Sequence, residues 1–580
     1  MSNRYIHSVD GLRALAVIAV LLYHLGLPWI PGGFLGVDLF FVISGYVITG
    51  LILDSIERSG TLDLRAFYMS RIRRLVPALV AMVVLTIFYV SNYAPETLRR
   101  FLNDLPYVFT GTMNWALVDR KQDYFATIGR PPLLQHTWSL AVEAQFYLIW
   151  PLVLLFVLRY FGKKNVSIAA LGIALASGIA LFIYSVSIDT HESAVSHVYF
   201  GTDTHSIGLF LGSALAVSWH PQNLTREISK RAQDFVDMIG VVGLLGLLSA
   251  FLFIQESDPT LYRIAFPIAA LFGCATLVSV VHPASRFAPI LSTRPMMWIG
   301  ERSYGIYLWH WIVFQLTRPS IDLVGHDWAL YALRILVVFA LADISLRYVE
   351  LPIRRGYFEL WFRGMKYRTK NVRLRQRAIA LLSTVLVLSA TTAFAITGLE
   401  RADQKARAEA QAAVSVAESD GVVTASTTPG LWVTGDSVIL GIRNVLAKYQ
   451  KIELINARVG RQIGELIQVV KTDKPYVSDS PVVFNLGNNN RLVEKDVVEL
   501  MDLVKDQPQI VVVNTAVPRP WRDSNNELIQ SIVTRYSNTK IVDWNSISKN
   551  HPEYFASDGV HLNPPGVNAY VSAILEVLTK

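Results

Sequence analysis

"LWVTGDSVIL", residues 431–440, sets four strand-forming residues, Leu431 to Thr434, before a turn with Asp436 and Ser437. An amphipathic stretch with helical spacing, Val438 to Tyr449, follows. The pattern repeats downstream. Short β-rich runs at Ile452 to Asn456, Val482 to Leu486, Ile510 to Thr515 and Lys540 to Trp544 alternate with helical patterns that begin near Ile463, Leu492, Asp523 and Gly566. That alternation predicts a flavodoxin-like parallel sheet with helices on both faces over residues 431–580.

Upstream the texture is different. The 580-residue chain is 52% hydrophobic and only 17% charged, with a mean hydropathy of +0.37, too apolar for a soluble protein of several domains. Runs long enough to cross a bilayer occur at about 9–27, 35–53, 76–93, 138–161, 166–187, 203–219, 236–254, 262–281, 303–319, 329–349 and 379–398. A polytopic helical bundle of about eleven spans is therefore expected. The stretch Leu105 to Val118, interrupted by Pro106 and Asn114, reads as interfacial or re-entrant.

Charge orients the bundle. The loops with Arg58 to Arg74, Lys163 and Lys164, Arg226 to Arg231, Arg286 to Arg302 and Arg354 to Arg377 fall on one side, which the positive-inside rule makes cytoplasmic. The N-terminus is then cytoplasmic, without a cleavable signal pattern, and an odd span count puts the C-terminal domain outside a plasma or inner membrane. The organisation expected is a membrane domain over 1–355, a basic cytoplasmic loop over 356–378, an eleventh span at 379–398, a linker over 399–430 that is helical at its start, and the α/β domain. The net charge of +8 is accounted for by these loops, so no nucleic-acid partner is expected. The single cysteine, Cys274, excludes an intrachain disulfide and a Cys-rich metal site, and no metal is expected.

In a parallel α/β fold, chemistry collects at the carboxyl ends of the strands. Ser437 after the first strand needs a base to lose its proton, and the base needs an orienter; His561 and Asp558, three residues apart in "SDGVHLN", supply both. The Ser437 and Gly460 amides and the Asn489 side chain of "LGNNN" are candidate oxyanion donors. The competing reading is that Asp436 and Ser437 cap a helix and Asp558 occupies an ordinary turn. Trp521 in "VPRPW" suits either a sugar ring or the core. The blocks "GDS", Gly460, "GNN" and "DGVH", in this order, resemble the SGNH hydrolase and acyltransferase superfamily. Asn490 departs from the Asp that many members carry there.

Polar groups inside apolar spans are costly and each raises a functional hypothesis. Arg13 and His24 share the first span about 16 Å apart. Asp38 opens the second, Glu143 enters the fourth within "HTWSLAVEAQFYLIWP", and His310 lies in "SYGIYLWHW" of the ninth. His24 and Glu143 could form a base and its orienter. Positive-inside anchoring competes for Arg13, and an interfacial aromatic belt for His310.

The spaced Arg and His, "GGFLGVDLFFVISGY", "WSLAVEAQFY" and "YLWHW" resemble the acyltransferase-3 family of membrane O-acyltransferases over residues 5–355. The extra span and fused SGNH domain resemble its subgroup that O-acetylates envelope glycans. The resemblance implies acetyl-CoA as a cytoplasmic donor substrate with no permanently bound cofactor, and His24 as base or acyl carrier. The acceptor would be an envelope glycan: peptidoglycan, polysaccharide or glycolipid. Arg13, Arg71 and Arg74 match functional basic positions, the last two suited to CoA phosphates, and Asp38, His310 and Trp521 join them as substrate-binding candidates. His205 in "GTDTHSIGLFLG" stands where relatives are expected to carry Arg. Rival readings are a membrane-anchored esterase and a non-catalytic transporter or glycan receptor.

Overall fold

The computed structural model describes residues 6–27, 29–120, 130–186, 192–255, 260–318, 328–418, 430–458, 460–518, 521–555 and 559–579. It divides into a helical unit and a C-terminal unit.

All eleven apolar runs are helical in the first unit, but among the described residues only eight helices are long and apolar enough to span a bilayer. The other three have physical reasons. His7–His24 holds Asp10 and Arg13, Arg294–Leu316 holds Arg294, Glu301 and Arg302, and Ile207–Ser218 has 12 residues, about 18 Å of helix. The doubtful stretch near Pro106 is two short helices, Leu98–Thr110 and Met113–Asp119, separated at Gly111. The expected boundaries at 378 and 399 vanish into one 49-residue helix, Lys370–Glu418. Its Ala, Glu, Gln, Lys and Arg residues beyond the span are strong helix formers, so no break is enforced at the membrane edge. The linker's remaining residues, 419–429, lie outside the described ones.

The bundle packs by close backbone approach. Hydrocarbon gives apolar side chains no reason to leave lipid for each other, so small residues that let helices touch matter most. Gly45 of the Gly36–Ser59 helix and Gly212 of Ile207–Ser218 face each other's backbones: a Cβ on Gly45 would stand 1.8 Å from the Leu209 oxygen, and one on Gly212 2.1 Å from the Val42 oxygen.

In the C-terminal unit β1 (Leu431–Gly435), β2 (Ile452–Ala457), β3 (Val482–Asn485), β4 (Ile510–Val513) and β5 (Thr539–Val542) form one parallel sheet in the order β2-β1-β3-β4-β5. Alternation divides the core. Trp432, Phe484 and Val512 pack on one face with Leu466 and Met501, while Val433, Val483 and Val511 pack on the other with Ile442 and Tyr570. The chain winds away from β1 in opposite directions to reach β2 and β3, which opens a crevice at their carboxyl ends. Ser437 and the Leu486 to Asn490 loop leave the sheet there.

Gly212→Leu drives a branched side chain into the Val42 carbonyl, a strain of about 3 kcal/mol or more. The expected result is loss of monodisperse protein on detergent size exclusion, with a change on the outer, lipid-facing side of the bundle such as Gly172→Leu tolerated.

Candidate functional site: two polar centres

The first centre is a cavity in the helical unit, lined by Arg13, Ser44, Arg71, Arg74, Glu143 and Tyr147 among others. Arg71 and Arg74 are one turn apart on the Leu64–Tyr93 helix, so both reach the cavity. Arg73 between them points elsewhere and pairs with Glu359 at 2.7 Å. The Glu143 carboxylate accepts from Ser44 Oγ at 2.5 Å and from Tyr147 Oη at 3.1 Å. Arg13 is held by Asp10 at 3.2 Å. Three guanidinium groups around one carboxylate leave an excess of positive charge, a setting for phosphate or carboxylate.

The expected His24–Glu143 pair is not formed. Glu143 shares a cavity with Arg13, eleven residues before His24 on the same helix. His24 instead meets His310: His24 Nδ1 and His310 Nε2 are 3.1 Å apart. The hydrogen bonds dictate the protons. His310 Nδ1 lies 2.6 Å from the Tyr307 carbonyl, which can only accept, so this nitrogen carries the hydrogen and Nε2 accepts from His24 Nδ1–H. The basic lone pair of His24 then sits on Nε2. His310 is buried and not an interfacial belt residue. Trp311 meets the His24 ring edge-on at 5.0 Å and stacks on His136 at 6.0 Å. His136 opens the "HTWSL" stretch, and nothing local in the sequence shows that it faces Tyr307, 171 residues away. Its carbonyl accepts the Tyr307 hydroxyl at 2.8 Å.

Asp38 is a buried partner of His205 and not an exposed substrate contact. Asp38 Oδ1 lies 3.1 Å from His205 Nε2, and His205 Nδ1 lies 2.6 Å from the Tyr199 carbonyl. Both ring nitrogens face acceptors, so the pair holds one shared proton beyond that of a neutral imidazole.

The second centre lies in the crevice of the C-terminal unit. Asp436 caps the Ser437–Tyr449 helix through the Val438 N–H at 2.8 Å, as the capping reading required, but it does more. Its carboxylate also accepts from Asn485 at 2.6 Å, Asn488 at 3.0 Å and Asn489 at 2.8 Å, which ties the serine turn to the asparagine loop. Burial pushes the Asp436 carboxyl above its ordinary pKa, against the pull of Asn485, the Val438 amide, Asn488 and nearby His561. A Cβ on Gly435 would lie 2.2 Å from the Asn485 oxygen, so only glycine lets the strand end approach it. The Ser437 hydroxyl is buried without a hydrogen-bond partner among the described residues. Gly460 has φ 73°, and Arg461 beside it lines the same crevice. Asp558 lies outside the described residues, while His561 precedes the Pro564–Thr579 helix.

Two expectations change here. Asn489 is not poised as an oxyanion donor: its amide gives one hydrogen to Asp436 and the other to the Arg461 carbonyl at 3.0 Å. Both neighbours are acceptors, which fixes the amide orientation and uses both of its protons. Trp521 is 9% exposed and donates its indole N–H to the Gly487 carbonyl at 3.0 Å, so it braces the loop and presents no open face to a sugar. Asn525, unnoticed in the sequence, completes the brace. It donates to the Gly487 and Asn490 carbonyls at 3.0 and 2.9 Å and accepts from the Leu492 N–H at 2.8 Å.

Residues 6–347 match the acyltransferase domain family. Along its whole length the chain is 33% identical to peptidoglycan O-acetyltransferase OatA of Listeria monocytogenes, covering 99% of that protein. It is 33% identical to the O-acetyltransferase OatA of Staphylococcus aureus, covering 96% of it. Among solved structures, the C-terminal catalytic domain of OatA from Streptococcus pneumoniae aligns with 27% of this chain and 94% of its own, at 22% identity and a TM-score of 0.23.

Asn525→Leu removes all three loop bonds at once and strands buried backbone groups, a loss of about 2 kcal/mol or more. Differential scanning calorimetry should show the C-terminal unit melting about 4 to 8 °C lower.

Proposed function

We propose that this chain, which belongs to the acyltransferase family and is a membrane O-acetyltransferase, carries acetyl from acetyl-CoA on the cytoplasmic side to peptidoglycan hydroxyls outside, through two centres in series. The observation that carries the reading is the His24–His310 pair in the same helical unit as a cavity of three arginines around Glu143. An anchor for an esterase needs neither. A channel needs no basic nitrogen aimed by a second imidazole.

In the first stage the arginines hold the donor's phosphates, Arg71 and Arg74 foremost. His24 Nε2 either takes the proton of an acceptor hydroxyl as that oxygen attacks the thioester carbon, or attacks the carbon itself. The carbon–sulfur bond breaks; in the first case acetyl passes to the hydroxyl oxygen and His24 returns the proton to the leaving sulfur, and in the second acetyl stays on Nε2 as an acetylimidazolium while CoA leaves as the thiolate. His310 keeps the required tautomer and accepts the His24 N–H throughout. In the second stage Ser437 Oγ attacks the delivered acetyl carbon, and His561, oriented by Asp558, takes its proton and returns it to the departing group. A glycan hydroxyl then attacks the acetyl-serine, passes its proton to His561, and Ser437 is restored. The Ser437 and Gly460 amides receive the transient oxyanion. Asn489 joins them only after turning from the Arg461 carbonyl or from Asp436. The similarity to named O-acetyltransferases runs through both halves of the chain, which supports a part for each in one activity.

Mass spectrometry of muropeptides tests the order. His24→Ala and Ser437→Ala should each abolish acetylation, while Ser437→Ala leaves donor binding intact. Acetylated glycan from cells with the Ser437→Ala protein would make the helical unit the direct transferase. The tautomer argument has its own test. His310→Phe should lower acetylation about a hundredfold or more, and His310→Gln, whose amide oxygen still accepts from His24, should retain a measurable part of it. Equal loss in both would remove the acceptor role.

A further inference from the structure

The distribution of charge raises a question that neither centre answers. Between Arg354 and Arg377 the chain has nine Lys and Arg residues and one acid, Glu359, a formal charge of +8 in 24 residues. The entire chain also sums to +8, so the rest of the protein is neutral. An orientation signal needs a few charges, which the loops near Arg65 and Arg226 already provide. Glu359 is fully engaged, with Arg73 at 2.7 Å and Arg363 at 2.5 Å. Arg355, Lys370, Arg373, Arg375 and Arg377 form no ion pair among the described residues.

The backbone under this charge has a shape. Tyr357–Gly364 is a short helix on which Glu359 and Arg363 occupy one face, and Tyr357, Leu360 and Trp361 fall within about 100° on the opposite one. Tyr357 and Leu360 on that face are more than half exposed, and Tyr367 beyond the helix is 82% exposed. Lys366 lies over the Tyr367 ring at 4.8 Å. A polar face pinned to the bundle through Arg73, an apolar face left open and a dense flank of unneutralised cations are what an interfacial helix presents to a bilayer. The pin also fixes place: Arg73 stands between Arg71 and Arg74, so the segment adjoins the rim of the arginine cavity.

We propose that residues 354–377 form a docking surface for anionic phospholipid headgroups on the leaflet that faces the donor cavity. The aromatic face enters the headgroup boundary, and the Lys and Arg side chains of 366–377 bind lipid phosphates. The inference rests on the helical unit crossing a bilayer and is independent of the acetyl route.

The test uses the full chain in nanodiscs of phosphatidylcholine with or without phosphatidylglycerol, followed by native mass spectrometry of retained lipid. The wild type should retain phosphatidylglycerol about fivefold or more over its share of the bilayer, declining as salt rises from 0.05 to 0.5 M by screening of the kind that weakens polybasic contacts. Replacing Lys366, Lys370, Arg373 and Arg375 together with Gln should remove that preference. Replacing Lys164, Arg226, Lys230 and Arg231 with Gln removes the same charge from other loops and should leave it. Equal loss in both sets would overturn the proposal in favour of bulk charge. Displacement of the retained lipid by acetyl-CoA would overturn it in favour of a donor-phosphate site. Should the first variant fail to insert, the salt titration of the wild type decides: retention unchanged at 0.5 M rules the surface out.

Discussion

A polar group removed from water must find a partner inside the protein, and both centres follow from that constraint. In the helical unit Glu143 is met by Ser44 and Tyr147, Asp38 by His205, and His24 by His310. In the C-terminal unit Asp436 draws four donors. Each partnership fixes a side chain in one rotamer and one protonation pattern, which acyl transfer needs and a loosely solvated site cannot supply. These buried polar groups therefore also hold helices and loops in register.

The two histidine pairs in the helical unit show how a neighbour sets the task. His310 and His205 both turn Nδ1 toward a main-chain carbonyl, and so both must donate there. What faces the other nitrogen separates them. Opposite His310 stands an imidazole, which can donate, and the result is a neutral pair with a lone pair directed outward from His24. Opposite His205 stands a carboxylate, and the result is a buried Asp–His contact that ties the second helix to the segment before Ile207–Ser218. The same side chain meets an imidazole in one place and a carboxylate in the other.

Much of this was legible in the sequence where a property repeats along the chain. The strands fell within one or two residues of expectation because period-two alternation and turn residues bound them. Arg71 and Arg74 were singled out by the family resemblance, and one helical turn between them brings both to the cavity wall. The pairings were not legible, since His24 and His310 lie 286 residues apart and Asp38 and His205 lie 167 apart. His24 and Glu143 made the more obvious base and orienter on chemistry alone, and only the packing of Arg294–Leu316 against the first helix shows which group arrives. Trp521 and Asn525 were obscure for a different reason. Their partners are main-chain carbonyls, which a sequence does not display.

The amide of Asn489 has a consequence for timing. With one hydrogen on Asp436 and one on the Arg461 carbonyl, it can serve a developing oxyanion only after a bond already made is given up. A hydrogen bond to a charged group contributes about 1.5 to 3 kcal/mol, so an unassisted turn of that amide slows the reaction by roughly ten- to a hundredfold. Water brings nothing to offset that barrier, whereas an acceptor large enough to touch the crevice wall at Arg461 or Asn488 can. On the serial route proposed above, an acetyl group on Ser437 would meet an oxyanion site that lacks its third donor for as long as the Asn489 amide keeps both bonds.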